Sequence, residues 1–285
     1  MITFQIAQDN LSLCHIIETF MPELPEVENY RKYIAGTSLD QKVVRVEIAD
    51  GKVVDYDEGS FVAALEGKRF VRTDRVGKYL FVETDGGEHL MMHFGMTGSP
   101  RYYRDLADAP RHGRVIFHFE NDFHLAFNCP RKFGRLTLTT GVAAYCNKKK
   151  IGPDAAKISW KDFEKRIKGR KTPIKAALMN QSILAGVGNW IVDEVLYQAR
   201  MHPEERVVDL SEQDLKLVYD KMDFVIGTAL RLEAHFPDFP ADFMIHSRWT
   251  DAGRPDAPRI VLEKIKVGGR STYFDANKQK LRKKA

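Results

Sequence analysis

The sequence predicts an α+β protein: an N-terminal helix, an antiparallel β-sandwich, then a helical region that closes on a β-hairpin. Three observations carry that prediction. Apolar residues alternate with a period of two between residues 43 and 139, change to a period near four after about residue 150, and alternate again beyond Arg259. At 285 residues, 44% hydrophobic and 11% aromatic, the chain has material for two domains with buried cores, which excludes intrinsic disorder.

Residues 1–20 form a weakly patterned preface. The first helix is expected over Glu26–Ala35: Pro25 suits its opening turn, Val27, Tyr30 and Ile34 share a face, and Gly36 can cap its end. Strands are expected at Val43–Ile48, Arg69–Asp74, Tyr79–Thr84, Glu88–His93, Arg114–Glu120, His124–Phe127 and Arg135–Thr139, parted by Gly, Asp and Asn turns. Such a run of short strands indicates a sandwich or barrel. Trp160, Phe163 and Ile167 then fall on one helical face, followed by longer helices over Trp190–Arg200 and Ser211–Leu232, the second with Ser211 as N-cap. Gly268-Gly269 and Ser271–Phe274 mark the closing hairpin. Domain boundaries are expected near residues 21–148, 149–250 and 251–285.

The formal net charge is only +5, but it is unevenly spread. Lys148–Lys175 holds eleven basic residues against three acidic ones, and Glu263–Ala285 holds eight against two. Two basic stretches imply a polyanion partner, nucleic acid before membrane. No apolar run approaches the ~20 residues that a bilayer requires. The first twenty residues carry Asp9 and Glu18 but no Lys or Arg, unlike a secretory signal or a mitochondrial presequence. Three cysteines, Cys14, Cys129 and Cys146, without C-x-x-C spacing, speak against a disulfide framework and for a reducing compartment.

The most informative segment is Met21-Pro22-Glu23-Leu24-Pro25-Glu26-Val27-Glu28. It reads as a proline-rich helix entry with carboxylates near the positive end of the dipole. A Met-Pro start from which the methionine is trimmed would also leave a secondary amine. An α-amino group titrates near 7.7–8 against about 10.4 for lysine, so its unprotonated fraction at neutral pH is roughly several hundred times larger. That makes it a nucleophile for an aldehyde-like carbon, with Glu23 beside it to move protons.

Four further segments complete a pattern: Arg75-Val76-Gly77-Lys78-Tyr79-Leu80, Phe94-Gly95-Met96-Thr97-Gly98-Ser99, Pro130-Arg131-Lys132-Phe133-Gly134 and Gly186-Val187-Gly188-Asn189-Trp190. With the start at Met21, these five in this order closely resemble the formamidopyrimidine-DNA glycosylase/endonuclease VIII family, from Met21 to about Lys280. The resemblance implies a sandwich domain at 21–148, a helix–two-turn–helix domain at 149–250 and a finger hairpin at 251–285. It implies that Pro22 is the Schiff-base nucleophile at the sugar C1′ and Glu23 its acid/base partner. Lys78 would assist β-elimination near the lesion phosphate, and Arg270 of the hairpin would grip that phosphate and serve the δ-elimination. Extruding a base leaves a gap in the duplex; Met96, Arg131 and Phe133 match the family's void-filling residues. Asn189, His112 and Arg170 match its backbone contacts. No cofactor is implied, because an iminium is itself the electron sink for both eliminations.

Two departures from the family stand out. Many members end in a four-cysteine zinc finger, whereas here no cysteine follows Cys146, so the ligands for that site are missing. Gly268-Gly269-Arg270-Ser271-Thr272-Tyr273 instead resembles the zincless hairpin of plant-type members, to be held by Ile260, Leu262, Ile265, Val267, Tyr273 and Phe274. The other departure is the preface: inside a longer chain the Pro22 nitrogen is an imide, so the functional chain is expected to begin at Met21. The resemblance as a whole implies base-excision repair by a bifunctional glycosylase/AP lyase that removes oxidised purines (8-oxoguanine, formamidopyrimidines) by β,δ-elimination. Its partner would be damaged double-stranded DNA, engaged by a monomer in a bacterial nucleoid or a eukaryotic nucleus, with no membrane. A pyrimidine-excising endonuclease VIII-type enzyme and a non-catalytic damaged-DNA binder are the alternatives; a sheet-based RNA reader is disfavoured for want of its aromatic signature.

Overall fold

The computed structural model describes residues 22–249 and 253–282; the preface expected to lie outside the functional chain falls outside the described residues. The chain divides into two compact units: one from Glu26 to Lys149, which also takes Pro22, and one from Lys150 onward, which also takes Glu23–Pro25.

From Glu26 onward the first unit holds helix α1, Leu24–Ser38, whose Val27, Tyr30 and Ile34 are buried as the periodicity predicts. Gly36 does not cap it; the helix runs two residues further, and the Thr37 hydroxyl donates to the Tyr33 carbonyl in its last turn. Eight strands follow: β1 (Val43–Ile48), β2 (Phe70–Val76), β3 (Tyr79–Thr84), β4 (His89–His93), β5 (Ser99–Tyr103), β6 (Gly113–Phe119), β7 (His124–Asn128) and β8 (Arg135–Thr139). They pair antiparallel into two four-stranded sheets, β1-β6-β7-β5 and β2-β3-β4-β8. Inward residues of both sheets make one core, where Phe70 meets Phe117 and Phe94 meets Phe127 at 5.7 and 5.6 Å between ring centroids. Strand β5 is absent from the sequence reading because it contains Pro100; as an edge strand it tolerates a residue without an N–H. Two short helices were also not expected, α2 (Glu58–Leu65) and α3 (Val142–Lys149).

The second unit is helical: α4 (Trp160–Ile167), α5 (Ile174–Met179), α6 (Asn189–Gln198), α7 (Glu212–Arg231) and α8 (Ile245–Arg248), then a hairpin of β9 (Glu263–Val267) and β10 (Arg270–Phe274). The face of α4 that carries Phe163 packs on Tyr219 of α7 at 5.4 Å. Ser211 caps α7 as expected, and with Asp214 it forms a reciprocal capping box. The hairpin turns at Gly268 and Gly269, both left-handed, which only glycine adopts at little cost. It begins at Glu263 rather than Arg259, and Val267, Thr272 and Phe274 are its buried residues, with Phe274 edge-on to His202 at 4.8 Å.

Candidate active site

In the first unit, Pro22 is buried just ahead of α1. Lys78 stands in the two-residue Gly77-Lys78 turn between β2 and β3, where Gly77 takes φ 58°. That turn is braced by buried Arg75, which donates from Nη1 to the Gly77 carbonyl (3.0 Å) and from Nε to Glu28 of α1 (2.9 Å). Burial pushes the Glu28 carboxyl up, but hydrogen bonds from Arg31 and Arg75 outweigh it and hold the group below its usual range. Across the ladder from Tyr79 lies His93, whose ring sits 5.0 Å from the tyrosine ring. Burial, then the charges of Lys78 and Arg135, depress His93 to about 4, so Lys78 faces a neutral imidazole at pH 7.

The loop residues expected to face DNA lie beyond the ends of β4, β5 and β7. Phe133 is 54% exposed, and the Arg131 guanidinium rests over its ring at 5.4 Å. Met96 is half-buried, as is His112, whose Nδ1 lies 3.4 Å from the Arg114 guanidinium. Lys132, between Arg131 and Phe133, has a left-handed backbone (φ 58°) and an ion pair to Asp50 at 2.6 Å.

The second unit gathers Glu23, Asn189 and the Arg270 strand. Glu23 is 2% exposed, and its carboxylate accepts the Trp190 and Ile191 amides (2.9 and 3.3 Å) at the N-terminus of α6. Gly188 makes this possible: a Cβ there would stand 2.1 Å from the Glu23 carboxyl carbon. The Asn189 amide donates to the Ser271 carbonyl at 3.0 Å, while its Oδ1 is buried and has no partner among the described residues. Lys175 Nζ donates to the same carbonyl (3.2 Å) and to Asp193 (2.6 Å). The other Asp193 oxygen accepts from Arg248 and from the Tyr273 amide. Arg270 itself is exposed at the start of β10. Arg170 stands apart from this group; it is exposed after α4 and donates to the Arg166 carbonyl at 2.6 Å.

Two family models match the chain: the N-terminal domain of formamidopyrimidine-DNA glycosylase over residues 21–136 and its H2TH domain over residues 151–238. A formamidopyrimidine-DNA glycosylase of Heliobacterium modesticaldum is 33% identical over 279 residues, covering 91% of this chain and all of that protein. The chain belongs to the formamidopyrimidine-DNA glycosylase family. An Arabidopsis thaliana relative of that name is 30% identical, over 92% of this chain and 71% of its own length. Among solved structures, the Lactococcus lactis enzyme bound to DNA with an AP site is 28% identical with a TM-score of 0.78, and MutM in complex with carbocyclic 8-oxo-G DNA is 29% identical with a TM-score of 0.80; each match covers 91% of this chain and all of the other.

Family membership accounts for the helix–two-turn–helix character of the second unit, though Arg270 and its hairpin lie beyond both matched segments. Sequence reasoning missed Lys175, Asp193 and Arg248, which hold that hairpin. Lys175 is one of eleven cations in its stretch, so composition cannot single it out. Asp193-Glu194 within the apolar run Trp190–Leu196 was a usable signal, since adjacent carboxylates on a buried helix need partners.

Proposed function

We propose that this protein is a base-excision repair enzyme that removes oxidised bases from duplex DNA and cuts the strand, with Pro22, Glu23, Lys78 and Arg270 as its catalytic residues. The observation that carries this reading is the Glu23 carboxylate, buried and aimed by two α6 amides against a glycine that admits no side chain. A carboxylate held so firmly one residue after a proline is a built proton carrier.

The chemistry runs through covalent catalysis. The Pro22 amine attacks C1′, the bond from C1′ to the base breaks, and the base leaves with a proton; the C1′–O4′ bond then opens as O4′ takes a proton, which leaves C1′ doubly bonded to the proline nitrogen. The resulting iminium draws electrons from the C2′–H bond, so the 3′ phosphate departs; a second elimination releases the 5′ phosphate, and water frees the proline. Glu23 relays protons, Lys78 assists the first elimination, and Arg270 holds the lesion phosphate. This scheme requires Pro22 to be the first residue, since within a longer chain its nitrogen has no lone pair to offer. Met96, Arg131 and Phe133 fill the space of the extruded base; His112, Arg170 and Asn189 hold the backbone. The Asn189 Oδ1, buried and unpartnered among the described residues, supports a ligand contact there. Oxidised purines are the preferred substrates, residues 21–148, 149–250 and 251–285 are its functional divisions, and the enzyme acts as a monomer wherever the genome lies. Among the described residues no helix is long and apolar enough to cross a membrane.

Borohydride trapping tests the reading. Protein beginning at Pro22 should become cross-linked to an 8-oxoguanine duplex through that residue, and not to undamaged duplex. Trapping on thymine glycol alone would move the enzyme to the pyrimidine-excising class, and binding without an adduct would reduce it to a damage binder.

A further inference from the structure

The loop that follows β7 contains a residue with no part in the chemistry above. Cys129 is buried, and its amide, carbonyl and sulfur each hydrogen-bond a neighbouring segment. Its amide donates to the His112 carbonyl (2.9 Å). Its own carbonyl accepts from Arg114 Nε (3.1 Å) and from the Lys132 amide (3.3 Å). Its thiol accepts the Gly134 amide at 3.3 Å, an ordinary length for a sulfur acceptor.

Packing around this node leaves no slack. A Cβ on Gly134 would lie 2.6 Å from the Phe127 ring and 3.0 Å from the Cys129 sulfur. One on Gly95 would lie 2.5 Å from the Phe133 carbonyl carbon, so the backbone next to Met96 rests directly on the backbone of Phe133 and Gly134. The two loops therefore move as one, and Cys129 pins that pair to His112.

We propose that Cys129 is a positioning residue whose thiol and backbone lock the loops of His112, Met96 and Phe133 into a single preformed wedge for the lesion duplex. The proposal rests on the DNA-repair reading given above. Holding the wedge before the duplex arrives removes the cost of ordering three loops on binding. Without the thiol, the buried Gly134 amide loses its acceptor, and the chain between Lys132 and Gly134 must shift to find another.

The test compares Cys129→Ala and Cys129→Ser with wild type in three measurements. The first is affinity for a duplex containing a tetrahydrofuran abasic analogue; the second is borohydride trapping on a single-stranded abasic oligonucleotide, which offers no void to fill; the third is exchange of the Gly134 amide. Cys129→Ala should lose about tenfold in duplex affinity, the loss of one buried hydrogen bond. Its single-strand trapping should stay within about twofold, and its Gly134 amide should exchange faster. Serine keeps an acceptor and should recover most of the affinity. Duplex affinity unchanged in Cys129→Ala would overturn the proposal, as would an equal fall in both DNA assays, which would make the thiol a general support of the fold. Failure of wild type to trap the single strand would instead refute the catalytic reading, and the tetrahydrofuran affinities would still judge Cys129.

Discussion

At the scale of single residues, the site is defined by where a side chain is forbidden. Gly188 and Gly36 show the contrast. A methyl at 188 collides with the Glu23 carboxyl at 2.1 Å, whereas one at 36 meets nothing within 4 Å among the described residues. Gly188→Ala should displace Glu23 from the α6 amides and lower base excision by on the order of 10²-fold, the usual worth of a general acid/base. Gly36→Ala should leave turnover alone and raise stability by up to about 1 kcal/mol, since the position is helical and open. Single-turnover excision and urea unfolding of both variants check this; equal activity in the two would show that Glu23 is not the proton carrier. Glu23→Gln separates chemistry from position: it should abolish excision yet keep duplex binding, read by trapping and by titration. Arg270 belongs to a different term. On the proposed reading Arg270 contacts the lesion phosphate, so Arg270→Ala should weaken lesion binding and flatten the salt dependence by about 0.9 in slope. The gap from wild type therefore narrows as salt rises, and a titration from low to high salt measures it.

Among the elements, legibility in the sequence followed the strength of the period. β1, β3 and β8 have the boundaries that alternation predicts, and Ser211 announces α7 because its hydroxyl and Asp214 are spaced for a capping box. Elements that miss are those whose signal is short or masked: β5 by its proline, α2 and α5 by their eight and six residues, α3 by its position between a glycine and the first lysine run. The hairpin is a harder case. Its glycine turn and Arg270 were readable, but what secures it is a buried ionic node that no local pattern encodes. Asp193 serves Lys175, Arg248 and the Tyr273 amide at once, with Lys175 fully buried and its pKa pushed down first by that burial. Breaking such a node strands two cations, so Asp193→Ala should cost about 3–5 kcal/mol. Ser211→Ala, which removes one cap, should cost only about 1 kcal/mol. Urea unfolding ranks the two; hydrogen exchange should show β9 and β10 opening in the Asp193 variant alone.

On the scale of the whole molecule, alternation marked the β unit and four-fold periodicity the helical one, but neither marked which buried groups set the protein's response to pH. Two of them, one in each unit, respond with opposite sign. His93, in the first, is depressed to about 4 by burial and by the charges of Lys78 and Arg135. The unfolded chain takes up that proton near 6.5, so its contribution to stability is full above 6.5 and is lost as pH falls toward 4. Glu194, in the second, is raised to about 7 by burial, against which the Gln198 side chain and the Met244 and Ile245 amides pull. Unfolded, it ionises near 4.5, so its contribution is full below 4.5 and is lost as pH rises through 7. Other groups titrate in the same range, and each variant compared with wild type cancels them. Relative to His93→Gln, wild type should lose stability between pH 7.5 and 5; relative to Glu194→Gln, it should gain over the same interval. Native-state hydrogen exchange on β3–β4 and on α6 reads the two units separately. Parallel pH responses in the two comparisons would mean that one of these side chains is solvated rather than enclosed.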